Sequence, residues 1–210
     1  MKAFLFALMV PTLSLAASFV PESFSSNFEE SYVSALSGKE KKSFGKIDYQ
    51  YPGHIRLEKT SPDASTFVAN PEKSWYYVPP FVSKAKKAKT EKGQVTIQES
   101  NKLVITKFLD ALRNGLEGNK LFSHKFDKNK IVFTFDSAIQ KEMNLKQAIL
   151  IADSDAKKIK SLKEFERLEL VYTDGKKINT KFVDLKEGVK FAKSHFEFEI
   201  PSNTNVTQGK

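Results

Sequence analysis

Short runs in which apolar and polar residues take turns, broken at intervals by Pro, Gly, Asn and Asp, fill most of this chain. Alternate residues of an extended strand point to opposite faces, so a period of two marks a strand with one face buried. Ile47, Tyr49 and Tyr51 alternate with Asp48 and Gln50, and Ile55 and Leu57 resume the pattern after Pro52-Gly53. That interruption reads as a bend in one strand or as a hairpin. Trp75-Tyr76-Tyr77-Val78 is strongly strand-prone and stops at Pro79-Pro80. Further strands are expected at residues 65–69, 81–86, 94–98, 121–126, 131–135, 148–153, 158–165, 167–172, 177–183 and 195–200. Turn residues lie at the joints, and Asp174-Gly175 is the strongest hairpin signal among them.

Two stretches break the rule. Phe24, Phe28 and Tyr32 recur every four residues, which fits a helix face and equally one face of a strand; the serines between them favour the strand. Leu103, Phe108, Leu109, Leu112 and Leu116 recur at helical spacing between positions 101 and 118 and predict a helix. A short second helix is expected at 186–193, and the tail from Asn203 reads as frayed. The pattern is therefore mainly β (α+β). About ten or eleven antiparallel strands with one or two helices point to a barrel or a sandwich.

Residues 1–17 stand apart. Met1-Lys2 is followed by an apolar run to Leu15 and by the small residues Ala16 and Ala17. This is the layout of a cleaved secretory signal, and the run is too short to span a bilayer. Residues 18–210 are then expected to form one domain. The chain has no Cys, so it holds neither disulfides nor thiolate metal sites, nor the acylated Cys that anchors a bacterial lipoprotein. The expected location is the periplasm, without a lipid anchor. The formal charge of +9 is spread along the chain except at Lys84, Lys86, Lys87, Lys89 and Lys92. A lysine-solvated surface accounts for it, an edge that docks an acidic receptor is the sharper reading, and no nucleic-acid partner is expected of an exported protein.

No catalytic constellation emerges. His54, His124 and His195 have no metal-binding spacing, and the chain lacks a nucleophile elbow. Gly115 to Lys120 lacks the spacing and the Ser/Thr of a phosphate-binding loop. No enzyme, cofactor or metal is expected.

From Phe24 onward the chain resembles the outer-membrane lipoprotein carrier family, LolA. The shared features run in order: Phe24-x-x-x-Phe28, Gly45, Tyr51-Pro52-Gly53-His54-Ile55-Arg56-Leu57, Pro62, Trp75-Tyr76-Tyr77-Val78-Pro79, and the closing Phe196-x-Phe198-x-x-Pro201 followed by Val206. They span nearly all of the chain beyond the signal segment. The resemblance implies an incomplete antiparallel β-barrel of about 11 strands with a helical lid. It implies a periplasmic chaperone that shields lipoprotein acyl chains in a hydrophobic cavity. The implied partners are acylated lipoproteins, an inner-membrane ATP-driven extractor and an outer-membrane lipoprotein receptor, with the carrier a monomer. In the best-known members an Arg precedes the Pro and pins the lid; here that position is Tyr51, whose hydroxyl becomes the expected latch.

Long hydrocarbon chains favour an apolar lining, since each methylene hidden from water contributes about 0.8 kcal/mol. The expected lining comes from Tyr49, Ile55, Leu57 and Phe67, then Trp75 and Tyr77 of the aromatic run. Later strands add Phe133, Phe135, Ile149, Ile151, Leu168 and Leu170, and the closing motif adds Phe196 and Phe198. Phe108, Leu109, Leu112 and Leu116 are the expected lid residues. Ordinary core packing is the competing explanation for each. A lipid or glycolipid binder, or an envelope-stress sensor on the same fold, is the alternative to the lipoprotein carrier.

Overall fold

The computed structural model describes residues 18–82, 90–99, 104–113, 115–116 and 120–209. The expected signal segment, most of the lysine cluster at 84–92 and both ends of the predicted helix lie outside these residues. The strands are β1 (Ser23–Val33), β2 (Glu40–Gln50), β3 (His54–Ser61), β4 (Ser65–Ala69), β5 (Lys73–Val78), β6 (Phe81–Val82), β7 (Thr90–Glu91), β8 (Gly93–Glu99), β9 (Phe122–Asp127), β10 (Lys130–Phe135), β11 (Leu145–Ala152), β12 (Phe165–Tyr172), β13 (Lys177–Glu187) and β14 (Thr204–Gln208). Helix α1 (Val104–Arg113) lies between β8 and β9, and α2 (Ser137–Met143) lies between β10 and β11.

Twelve strands form one sheet in the order β14-β8-β5-β4-β3-β2-β1-β13-β12-β11-β10-β9, while β6 and β7 pair separately. The sheet is an incomplete barrel: β14 and β9 are free ends that do not pair with each other. Every pairing in it is antiparallel except β14 with β8, which is parallel. The expectation of an all-antiparallel sheet is corrected at that one edge.

The ambiguous N-terminal stretch is strand β1, whose period-two face buries Phe24, Ser26 and Phe28. Pro52-Gly53 turns a hairpin, with Tyr49 opposite Ile55 and Ile47 opposite Leu57. Gly45 lies opposite Phe28, and a Cβ there would collide with the Glu58 carbonyl oxygen and the Phe28 ring. Glycine thus lets an aromatic ring lie flat against β2. Asp174-Gly175 turns the β12–β13 hairpin, with Gly175 at φ +85°.

Four local expectations are corrected. Residues 158–165 form short 3-10 turns instead of a strand. Residues 186–193 hold the end of β13 and a loop instead of a helix. Residues 195–200 continue a 3-10 turn, Lys193–Phe196, into an irregular extended segment. The tail from Asn203 is ordered as β14, held by backbone pairing of Thr204 with Gly93 through Gln208 with Ile97. Helix α2 has no apolar period to announce it; its signals are the Asp136 cap, accepting from the Ala138 amide, and Asn144 in the left-handed region at φ 54°.

Register assigns the faces. Tyr49, Ile55, Ala69 and Phe67 lie on one side of the sheet with Phe28, Phe182, Leu168, Leu150 and Phe133. These residues, or their neighbours on the same face, form the continuous core. Asp48, Arg56, Val68, Trp75, Tyr77 and Val95 lie on the other side. Strand β8 lies near one free end of the sheet and β9 is the other, so the chain between them must cross the opening. That crossing segment carries α1, and its Phe108, Leu109 and Leu112 are buried in the core on the concave side.

Candidate functional site

Between α1 and the concave face lies a hollow of about 290 Å³. Its walls are almost wholly apolar. Phe24 and Phe28 of β1, Ile47 of β2, Ile55 and Leu57 of β3 and Phe67 of β4 line one flank. Leu145, Leu168, Leu170 and Phe182 line the other, with Met143 from the end of α2; Phe108 and Leu109 form the roof. Among the described residues, polar side chains enter only through Glu30 and Thr180, paired across β1 and β13, and through Tyr172 further along β12. Such a space suits a flexible hydrocarbon, which needs volume and apolar contact but no directional hydrogen bonds.

The helix is held over this space by two different anchorages. Phe108 packs edge-on against Phe122, Phe133 and Phe135, with ring centroids 5.3–5.4 Å apart. This aromatic cluster fills its own part of the concave side. The second anchorage is polar. The buried Tyr49 hydroxyl donates to Asp110 Oδ1 at 2.6 Å, and the Gly53 amide donates to the same oxygen at 3.3 Å. Burial, and then the hydrogen bond and charge of Asp110, push the Tyr49 hydroxyl well above its ordinary value, so it stays a donor. The Arg113 guanidinium lies 4.5 Å over the Tyr51 ring and 3.8 Å from Glu22. Tyr51, the residue expected as latch, thus meets the helix through its ring face, and the hydroxyl seen to reach the helix is that of Tyr49.

The other predicted residues divide clearly. Ile55, Leu57, Phe67, Leu168 and Leu170 border the hollow, with Phe108 and Leu109 above. Phe133 and Phe135 face inward but belong to the self-filled aromatic cluster. Leu112 is buried in the core beyond the hollow, and Leu116 packs against the core. Ile149 and Ile151 lie on the convex face, because Ala148 and Leu150 are the inward positions of β11. Trp75 and Tyr77 also lie on the convex face.

What covers that convex face is the C-terminal segment. Phe198 packs on Tyr77 at 5.0 Å and Phe196 packs edge-on against His54 at 5.2 Å. His195 Nε2 lies 2.9 Å from Asp48 Oδ2, Arg56 donates to the His195 carbonyl at 3.2 Å, and β14 then joins the β8 edge. Trp75 and Tyr77 of β5 thus face the back of the sheet, where Phe196 and Phe198 of the strap lie, and none of the four borders the hollow. Alternation alone missed Phe24, Phe28, Ile47, Leu145, Met143 and Phe182 as lining and Asp110 and Arg113 as anchors. Phe24 and Phe28 carried a usable signal, being the in-phase positions of β1.

No protein-family model matches the chain, and no curated protein matches it. Among solved structures it is similar to an uncharacterized conserved protein from Thermus thermophilus, at TM-score 0.45 and 9% identity over 90% of this chain and 91% of that one. It is similar to a LolA superfamily protein from Nitrosomonas europaea, at TM-score 0.45 and 10% identity over 87% and 93%. It is also similar to a chain of the MucA/MucB complex from Pseudomonas aeruginosa, at TM-score 0.36 and 10% identity over 84% and 56%.

Proposed function

We propose that this protein is a passive carrier that shelters hydrocarbon chains of acylated lipoproteins between the concave sheet and α1 during transfer from the inner to the outer membrane. The observation that carries the proposal is the apolar hollow beneath a helix held by the Phe108 aromatic cluster and a few polar contacts. Burying a chain there is favourable at about 0.8 kcal/mol per methylene, and the absence of a rigid polar code suits cargo of varied sequence. Release requires that the roof move. The Tyr49–Asp110 and Arg113–Tyr51 contacts are local enough to break and re-form without unfolding the sheet. On this reading the ATP-driven extractor and the outer-membrane receptor supply the direction of transfer, and the periplasm is the compartment.

The test is release of lipoproteins from spheroplasts by the purified protein with the extractor present. Wild type is expected to release them, and Leu109→Glu, which puts a charge in the roof, to release far fewer. No release by wild type would end the lipoprotein reading. A second reading, a carrier of single-chain lipids, is favoured by the size of the hollow. At about 30 Å³ for a water-sized group, 290 Å³ holds roughly ten such groups, closer to one tail than to three. Mass spectrometry of lipids copurified from cells separates the two.

A further inference from the structure

The hollow does not end in apolar walls on every side. Glu30 borders it, and the same residue borders a second space of about 420 Å³ that continues along the sheet past the hollow. Register places Tyr32, Lys41, Ser43 and Lys59 around this groove on the same face as the hollow's lining. The Glu30 carboxylate is already satisfied: Lys59 Nζ lies 2.7 Å from Oε1, and the Ser43 hydroxyl donates to it at 3.2 Å. Its charge is therefore matched within the wall.

Two further amines stand beyond this boundary: Lys41 borders the groove, and Lys176 borders an adjoining space that Lys41 shares with Glu40 and Asp174. Lys41 is exposed on β2 opposite Tyr32. Lys176 reaches from the β12–β13 turn over the rings of Tyr32 at 4.8 Å and Tyr172 at 5.7 Å, resting on aromatic faces instead of a carboxylate. Tyr172 itself borders the hollow. Lys42 borders the groove from β2, but register gives its side chain to the opposite face with Ser31, and exposed Asp63 adds a carboxylate to the groove. Where groove and hollow meet, Glu30 and Lys59 match each other, and the two other amines, Lys41 and Lys176, stand one inward position further along β1, at Tyr32.

We propose that hollow and groove together form one amphiphile site, with a single hydrocarbon tail under α1 and an anionic head, a carboxylate or phosphate ester, held by Lys41 and Lys176 beside the Glu30–Lys59 pair. This rests on reading the hollow as a tail site and adds to it the chemistry of the head. The amines are exposed, so their selectivity is modest and salt-sensitive.

Calorimetric titration of the full protein with laurate, dodecyl phosphate, monolaurin and dodecyltrimethylammonium, all below micelle formation, tests it with one tail and four heads. The two anions are expected to bind about five- to tenfold tighter than monolaurin at low salt, with the gap closing at high salt. In Lys41→Ala/Lys176→Ala the ratio is expected to fall to parity, with far-ultraviolet circular dichroism verifying the fold. A difference between laurate and dodecyl phosphate assigns the preferred head within the class. Equal binding of anionic and neutral heads, or preference for the cation, overturns the head assignment while the tail site stands. Binding of none of the four overturns both.

Discussion

Tyr49 and Asp48 are neighbours in sequence and work on opposite faces of the sheet. Tyr49 points inward and fastens α1 through Asp110, whereas Asp48 points outward and meets His195 of the C-terminal strap. A buried hydroxyl on a carboxylate contributes about 1.5–3 kcal/mol. Tyr49→Phe keeps the ring against Phe24 but deletes that donor, leaving Asp110 with the Gly53 amide. Its expected cost in chemical denaturation is about 2 kcal/mol. Hydrogen exchange should quicken in α1 more than in β1 or β12. Asp48 makes a different prediction. Burial alone would push its carboxyl up; hydrogen bonding with Ser25, Lys46 and His195 and the charge of Lys46 outweigh burial and hold it below the usual carboxylate value. The folded protein therefore keeps this group ionised where the unfolded chain has already taken up a proton. Its stabilisation is complete above the ordinary carboxylate range and is lost as pH falls through that range and past the depressed folded value. Acid titration should loosen the strap before the sheet melts. The single Trp, Trp75, lies two residues from Tyr77 on the strap side, so its emission should shift in that window. Asp48→Asn is expected to flatten the shift.

At the scale of elements, two additions flank the curved sheet: the C-terminal strap backs its convex face and α1 roofs the hollow on its concave face. The strap's tail, β14, contributes few apolar contacts: its residues are mostly exposed and it is held by backbone pairing to β8. Deleting residues 189–210 should expose the β8 edge and the Tyr77 ring together. The expected result is a red-shifted Trp75 emission and sedimentation as aggregates, since unpaired edges recruit other strands. A variant that remains monomeric with unchanged emission would show that the strap protects nothing. The strap also explains which parts of the site were legible in the sequence. Strand existence was readable from alternation in β2, β3, β10, β12 and β13, and α1 from its leucine spacing. The inward face of β5 and of β11 was not, because the rule that the apolar side faces the cavity assumes that the other side is wet. Against Tyr77 and His54, Phe198 and Phe196 of the strap make the back of the sheet apolar as well. Strand β11 reads Ala148-Ile149-Leu150-Ile151, apolar on both parities, so nothing local chooses Leu150 over Ile151 as the inward residue. Strand β14 has no apolar period because its pairing is made by amides and carbonyls, and Asp110 and Arg113 resemble a solvated helix face until the β2–β3 hairpin is seen against them.

The whole molecule sets the capacity of the site. Because α1 lies in the chain between β8, next to the β14 edge, and β9 at the other edge, the roof height is tied to how far the half-barrel opens, and enlarging the hollow beneath α1 moves the Tyr49–Asp110 contact or parts the Phe108 cluster. This makes tail length a gauge of lid motion. For alkyl carboxylates of increasing length, each methylene that finds room should strengthen binding by about 0.8 kcal/mol, roughly fourfold. The gain should continue until the 290 Å³ hollow is filled, at about ten methylene-sized groups, and then flatten while α1 stays latched. In Tyr49→Phe the roof lifts at lower cost, so the plateau should move to longer tails. A carrier of multiply acylated cargo must use that second regime, with the latch broken and the helix displaced. Calorimetry across the series in both proteins decides the matter. A wild-type slope that persists far beyond the predicted break would mean that the helix is already free to move, and a plateau at the same length in both proteins would mean that the latch does not govern capacity.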